Sequence, residues 1–409
     1  MRYLLSAALL SFILVAAIAW TGAARLSPAM TIHMRVNDYF EKTDSLNIRL
    51  IRSVILRGTD TVPAGVQIET IESAGMEYPG VSLVYETCRI HEKRGIYGEP
   101  ETKGGNNNII VSVFNHRTGE VYYMDLEEYL VGVVFSEMPA SFELEALKAQ
   151  AVAARSYAVY KIMHARAHEP QHYGGAYVCT DFRHCKAHIS FEAAAELHGG
   201  GNSGGNHNER FGYLWQRVRS AVEATAGEII TYNSEPAIAV FHAMSGSMTE
   251  AAENVWGTPV PYLAPVPTKE SEQRALIRNY ETTARFTAEE FRSVLINGGF
   301  TAELPRNPRR WLEGVEINSS GRIAHAAIYG QAVSGVRLRE LFGLRSTDFT
   351  IELTESGDFI FTVRGHGHGV GMSQYGANLM AMAGRNYSEI LKWYYTGIKI
   401  ASAGMFLTG

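Results

Sequence analysis

The spacing of apolar residues changes several times along this chain, and each change marks a different kind of element. From Tyr3 to Ala24 no residue is charged, and the run Leu4 to Trp20 is long and apolar enough to cross a bilayer as a helix. Arg2 precedes the run, and Trp20 stands where an interfacial aromatic belongs. Small residues at Ala17, Ala19, Ala23 and Ala24 would also serve a cleaved signal peptide. The length of the run favours a retained single-pass anchor. Both readings put the chain from about Arg25 onward outside the cytoplasm.

Residues 32–118 then alternate apolar and polar positions, as in Asn47 to Leu56, between turn signals at Gly58-Thr59-Asp60, Pro63-Ala64-Gly65 and Gly104 to Asn108. That pattern predicts short strands joined by turns, with a hairpin around Arg117-Thr118-Gly119. Helical spacing follows. Asp125 and Glu128 have the spacing of a capping box, with Leu126, Leu130 and Val133 on one face, and Pro139 stops the helix just after Glu137. Ser141 is a cap for a second helix over 143–163, whose inner stripe would be Leu144, Leu147, Ala151, Ala154 and Ala158. On it Lys148 and Arg155 lie seven apart, one above the other on nearly the same face.

Beyond a glycine-rich loop at 198–206, the pattern predicts a helix near 210–225, strands near 228–242 and an irregular stretch through Pro259, Pro261, Pro265 and Pro267. A helix near 287–297, strands over 310–365, a Gly/His-rich loop and two helices complete the chain. There is no internal repeat and no regular βαβ alternation. The expected class is α+β: mixed strands and helices around a cleft, behind an amino-terminal transmembrane helix. The regions are 1–25 (anchor or signal), 26–118 (strand-rich) and 119–409 (the chemistry-bearing part).

Composition narrows the partners. A chain of 409 residues that is 46% hydrophobic and 19% charged can build a substantial core, and a net charge of −5 argues against nucleic acid as partner. Three cysteines, Cys88, Cys179 and Cys185, allow at most one internal bridge.

Glu137 sits at a helix end between Val133-Val134-Phe135 and Met138-Pro139. Partial desolvation there would favour the protonated acid that glycosidic cleavage needs. On spacing alone, however, a glutamate at a helix terminus is ordinarily a solvated cap. Phe241 to Ser245 alternates like a strand ending in Ser245-Gly246, where small residues would let a sugar lie against the backbone. His242 and Glu250 could hydrogen-bond its hydroxyls, although a turn packed in the core reads as well. In Gly365 to Gly371 the glycines permit backbone closed to other residues, Ser373 can cap the next helix, and His368, Gln374 and Tyr375 are candidate sugar contacts. His366 with His368 suggests a metal site, but two ligands are too few for one. His172, Cys179, His184 and Cys185 form a full tetrahedral zinc set, with His188 able to replace His172 and a Cys179–Cys185 disulfide as the alternative.

Tyr129 to Pro139, followed by Glu145 to Tyr157, resembles the signature of the stage II sporulation protein D family. Two further blocks match it in order: Phe241 to Glu250 with Val255-Trp256-Gly257, and Gly367 to Ala377. The resemblance covers roughly Asp125 to the carboxyl terminus. It implies a lytic transglycosylase that cuts the MurNAc–GlcNAc bond of peptide-stripped peptidoglycan during engulfment of the forespore. The catalytic residue would be Glu137, and the basic residues of the following helix would be Lys148 and Arg155. In the lytic reaction the sugar's own C6 hydroxyl displaces the leaving group, so one carboxyl can serve as acid and then base, where hydrolysis generally needs two. Asp125, Glu143 and Glu145 remain open as second participants. The resemblance also implies structural zinc at the His/Cys cluster and a partner cell-wall amidase or endopeptidase. It places the protein in the mother cell membrane, its catalytic region on the septal, forespore-facing side. Two other readings stand beside it: a non-catalytic glycan-binding enhancer of an amidase, and a metal-dependent wall hydrolase using His366 and His368.

Overall fold

The computed structural model describes residues 66–78, 81–92, 109–167, 172–198, 206–300 and 304–407. The span expected over 1–25 and the strands expected between 32 and 65 lie outside the described residues. Among those described, no helix is long and apolar enough to cross a membrane. By its internal contacts the chain divides into two units, Met1–Gly104 and Gly105–Gly409. In the first, β1 (Val66–Tyr78) and β2 (Val81–Glu92) pair antiparallel, Val66 opposite Glu92 and Tyr78 opposite Val81, as alternation predicts for strands.

In the second unit, β3 (Ile110–Phe114) and β4 (Val121–Asp125) form the hairpin expected around Arg117-Thr118-Gly119. Helix α1 (Leu126–Glu137) follows, with the Asp125 carboxylate accepting the N–H groups of Glu127 and Glu128. The reciprocal half of the capping box does not form, because Glu128 is drawn to Arg219, whose guanidinium donates at 2.7 and 2.8 Å. Helix α2 (Leu144–Ala167) begins three residues beyond Ser141, so that serine does not cap it. Its sequence favours a helix because alanine carries no side-chain entropy penalty. Burial extends well beyond one stripe: Ala146, Ala149, Ala153, Val152 and Val159 are sealed along with Leu147, Ala151, Ala154 and Ala158. Leu144, expected inside, is 38% exposed at the helix start. Small side chains let α2 be enclosed by other elements, and it forms the axis of the main core.

The chain continues through β5 (Val178–Cys179), α3 (Phe191–His198), α4 (Asn206–Glu223), β6 (Glu228–Tyr232), β7 (Glu235–Pro236), β8 (Phe241–His242) and α5 (Ala252–Trp256). Then come β9 (Glu281–Phe286), α6 (Ala288–Asn297), β10 (Leu312–Ile317), β11 (Ile323–Ile328), β12 (Gln331–Ser334), α7 (Gly335–Leu341), β13 (Phe349–Leu353) and β14 (Phe359–Arg364). It ends with β15 (Met372–Ser373), α8 (Gln374–Met382), α9 (Tyr387–Tyr394), β16 (Lys399–Ser402) and α10 (Gly404–Leu407). The sheets are small: β4-β3-β5, β16-β6-β7, β13-β14-β9 and β10-β11-β12 have three strands each, and β8 pairs with β15. The class is α+β, as expected.

Residues from β9 to β14 build a separate aromatic core, with Phe291 stacked on Phe359 at 3.9 Å and against Phe342 at 4.6 Å. Such ring pairs add about 0.5–1.5 kcal/mol beyond simple burial. The main core is resumed across this excursion. Strand β8 runs parallel to β15, Phe241 beside Met372 and His242 beside Ser373, so blocks far apart in sequence become neighbours.

Candidate functional site

Helix α1 is buried on most sides, through Leu126 and Tyr129 to Val134, and its last residue is Glu137. Met138 turns extended (φ −128°, ψ 136°), the conformation that a following proline imposes. Glu137 is therefore carried to the rim of the core, where it is half-buried. Its Oε1 accepts the N–H of Ala187 at 2.9 Å. The 187–189 segment can come this close because residue 132 of α1 is glycine: a Cβ there would stand 2.4 Å from the Ile189 carbonyl oxygen and 2.6 Å from His188 Nε2.

Glu137 lines a cavity of about 550 Å³ together with Phe135, Ser136, Ala243, Gln374 and Tyr375, and among the described residues no other carboxylate lines it. The candidates for a second participant are engaged elsewhere. Asp125 caps α1, Glu145 pairs with Lys148 at 2.7 Å and accepts the Tyr387 N–H, and Glu143 does not line the cavity. Tyr375 is set edge-on against Phe142 at 5.0 Å, and its N–H bonds to the Ala243 carbonyl at 3.0 Å. Gln374 is buried with Nε2 unpaired. An unmet buried donor costs about 1–3 kcal/mol, which a ligand acceptor in the cavity would recover.

The structure thus brings Glu137, Gln374 and Tyr375 together, and it sets the other expected contacts to different tasks. His242 is 4% exposed; its Nδ1 meets the Val370 carbonyl at 3.1 Å and its Nε2 the Ser245 hydroxyl at 2.7 Å. With the carbonyl as acceptor, Nδ1 carries the proton and Nε2 accepts. Burial holds this imidazole neutral, well below its ordinary pKa. Ser245 is fully buried beside it. Glu250 is buried among the Ala251 N–H, Asn254, Asn318 and Ser320, at 2.7–2.9 Å. His368 accepts the Val370 N–H at Nδ1 and bonds the Phe241 backbone, so its ring is braced and burial brings its pKa down to about 3. None of these four offers a free polar atom to a sugar.

Of the two basic residues, Arg155 is corrected likewise, and Lys148 is held in an ion pair. Arg155 is 0% exposed: it grips Glu127 through two nitrogens and donates to the Glu228 and Val222 carbonyls, out of reach of any ligand. Lys148 and Glu145 secure the start of α9 through Tyr387. His366 accepts an Arg345 hydrogen bond at 3.2 Å and shares no metal-holding group with His368 among the described residues.

Three features of the site are not evident in the sequence. Lys186 places Nζ 3.9 Å over the Phe241 ring and 4.7 Å over the Tyr157 ring, contacts worth about 0.5–2 kcal/mol each. Burial lowers its pKa, opposed by the Glu137 charge. The Ala187 N–H acts through backbone, which no side-chain pattern reports. Glu270 is fully buried, accepting the Ser373 hydroxyl and the Ser245 N–H, and so locks the two blocks behind the cavity wall. Burial raises its pKa. The only sequence signal for it was an acidic residue inside a proline-rich irregular stretch.

The donor atoms of His172, Cys179, His184 and Cys185 all lie within 4.8 Å of one another. Cys185 Sγ is 3.3 Å from His172 Nε2 and 3.5 Å from His184 Nδ1, and Cys179 Sγ is 3.8 Å from His184 Nδ1. Tetrahedral zinc, with bonds of about 2.3 Å to sulfur and 2.0 Å to nitrogen, separates its donors by roughly 3.3–3.8 Å. The four residues fit that ion. Both thiols are free, and a hydrogen bond from Cys185 pulls the Cys179 thiol toward thiolate while holding Cys185 protonated. His188 is elsewhere, stacked on Tyr129 at 5.2 Å.

The chain is similar to several known proteins. A family model described as "Stage II sporulation protein" matches residues 114–232. Stage II sporulation protein D of Bacillus subtilis (strain 168) is 35% identical over 333 residues, 77% of this chain and 87% of that protein. Its namesake in Bacillus amyloliquefaciens is 34% identical over 321 residues, 75% of this chain and 85% of that protein. A Bacillus subtilis (strain 168) protein named "Amidase enhancer" is 28% identical over 319 residues, 67% of this chain and 40% of that protein.

Proposed function

The chain belongs to the stage II sporulation protein D family, and on that premise we propose that it is a lytic transglycosylase cleaving the MurNAc–GlcNAc bond of peptide-stripped glycan during sporulation. The observation that carries the reading is the cavity wall: one carboxylate, Glu137, with one oxygen held by the Ala187 N–H and, among the described residues, no second carboxylate beside it. Hydrolysis by inversion or retention generally needs a pair. In the lytic route Glu137 protonates the leaving GlcNAc O4 as the C1–O4 bond breaks. The carboxylate so formed takes the proton of the MurNAc C6 hydroxyl while O6 bonds to C1, giving a 1,6-anhydro end and returning Glu137 to its acid form. No water is consumed. Tyr375 offers a ring to a pyranose face and Gln374 an amide donor to its substituents. We further assign structural zinc to the His172/Cys179/His184/Cys185 group and a membrane anchor to residues 1–25, which would put the catalytic unit on the forespore-facing side of the mother cell membrane.

Digestion of purified peptide-free glycan tests the reading. The protein should release anhydro-muramyl ends, and Glu137→Gln should lower kcat by about 10³-fold, as loss of a general acid–base group does. Full activity in that variant would sink the proposal. The relative named for amidase enhancement supports a second reading, in which the site binds glycan and stimulates a partner cell-wall amidase without cleaving. Under it Glu137→Gln still stimulates the amidase and no anhydro ends appear with either protein.

A further inference from the structure

We propose that His198 is a glycan-binding residue of the Glu137 cavity, hydrogen-bonding an uncharged substituent of a pyranose ring, a role that rests on the glycan-cleaving reading above and deepens it.

His198 is the last residue of α3 and, with Ile189, lines the same cavity as Glu137, Gln374 and Tyr375. It is exposed, its ring meets Phe135 edge-on at 5.8 Å, and among the described residues no hydrogen bond holds either ring nitrogen. The other histidines near the site are committed. His242 and His368 are bonded within the buried blocks, His366 to Arg345, and His188 lies on the Tyr129 face. Among the polar groups that line the cavity, the Ser136 hydroxyl donates to the Gly132 carbonyl at 2.8 Å. His198 therefore joins the Gln374 amide as a lining group whose hydrogen-bonding capacity is left open.

Packing fixes where this imidazole stands. Phe191, at the start of α3, meets Phe211 and Trp215 of α4 at 5.4 Å each, and Phe135 of α1 meets Trp215 at 4.9 Å. These rings tie α3 to α1 and α4. The chain from 187 to 198 thus supplies the N–H that holds Glu137, an apolar wall at Ile189 and, one short helix later, the His198 ring. A side chain set at a cavity by a packed helix is preorganised for a ligand. A histidine in the last turn also suits the helix dipole, but that role ends at the helix and needs no cavity.

An imidazole always carries at least one N–H donor, which a sugar hydroxyl or acetamido oxygen accepts, and the Phe135 ring beside it offers an apolar edge to the pyranose C–H groups. Gln374 and Tyr375 belong to α8 and His198 to α3, so a strand bound by both is held from two elements that share the cavity with Glu137. Attachment at two points limits how far the strand can turn and keeps the scissile oxygen within reach of the carboxyl.

Binding should be measured on the Glu137→Gln protein, which removes turnover from the measurement. The probes are peptide-free glycan and N-acetylglucosamine oligomers of equal length, which share the uncharged sugar groups. Glu137→Gln/His198→Phe keeps an aromatic ring against Phe135 and loses the N–H. It should bind both probes about fivefold more weakly than the parent, the scale of one neutral hydrogen bond, at an unchanged Tm. Glu137→Gln/His198→Gln, which restores a donor, should regain most of the affinity. A His198→Phe protein that binds both probes as tightly as the parent overturns the inference. So does a loss of affinity that falls in step with Tm and is not regained by His198→Gln, since that marks a role in packing or at the helix end. A loss confined to peptide-free glycan also overturns it, because the contact would then be to the charged lactyl group. Failure of the parent to bind either probe refutes the inference, whereas wild-type protein that binds both without releasing anhydro ends refutes the cleaving reading alone.

Discussion

Glu270 and His242 are both sealed from water, and burial shifts each toward its uncharged form. For His242 the folded pKa is depressed, so its contribution to stability is present above 6.5 and is lost as pH falls through the folded value. His368 behaves the same way, over a window from 6.5 down to about 3. Glu270 has the opposite sign. Its folded pKa is raised by burial, so the stability it carries is full below its ordinary value of 4.5 and is lost as pH rises through the folded value. Glu270→Gln keeps the shape of the neutral acid and cannot ionise. We expect the variant's advantage over wild type in denaturant unfolding to be nil near pH 4, to grow with pH, and then to level off. Parallel curves from pH 4 to 9 would show that Glu270 does not titrate between the two states. Glu270→Ala should instead loosen Ser245 from Ser373 and raise KM through Gln374 and Tyr375.

At the scale of elements, the sequence was most legible where a local rule decides the outcome. Asp125 caps α1 and Pro139 ends it. These depend only on neighbours within a turn. Leu144 and Ser141 were misjudged because the start of α2 is settled by what packs on it, including Asn378, which accepts the Glu143 N–H at 2.8 Å. Strands of two residues such as β5, β8 and β15 carry no periodicity at all, and exist only because a partner strand lies alongside. The contact of α1 with the 187–189 segment is of this tertiary kind, and Gly132 permits it. Gly132→Ala should push the Ile189 carbonyl away, since backbone cannot swing aside as a side chain can. We expect a stability loss of about 1–3 kcal/mol together with a fall in kcat, because the Ala187 N–H would no longer hold Glu137. Wild-type kcat in a destabilised Gly132→Ala protein would show that this hydrogen bond does not matter to turnover.

Across the whole molecule, the cavity is assembled from α1, the segment after Cys185, and the parallel pair β8 and β15. Resemblance of three ordered blocks singled out Glu137, Gln374 and Tyr375, but it could not tell which block residues face the cavity and which brace it. Arg155, His242, Ser245 and Glu250 are buried in hydrogen bonds within the protein. Ala187 carries no sequence signal because its significance lies in the distance of its N–H to Glu137, and nothing in the local sequence encodes that. The same segment joins the cavity to the His/Cys cluster, since His184 and Cys185 are ligand candidates and Ala187 follows two residues later. Cys179 stands on β5, which pairs with β3, so an ion held there would pin this segment to the main core. If zinc is the ion, the purified protein should contain one per chain. Dialysis against a strong chelator should remove it and lower Tm by about 5–10 °C, as loss of a structural zinc does. Cys179→Ser should do the same without chelator, and glycan binding by the Glu137→Gln protein should weaken in step with Tm. A protein that carries no zinc, and whose Tm ignores both chelator and Cys179→Ser, would leave the four residues as a hydrogen-bonded group only. Lost cleavage at an unchanged Tm would show that the ion acts on the site rather than on the fold.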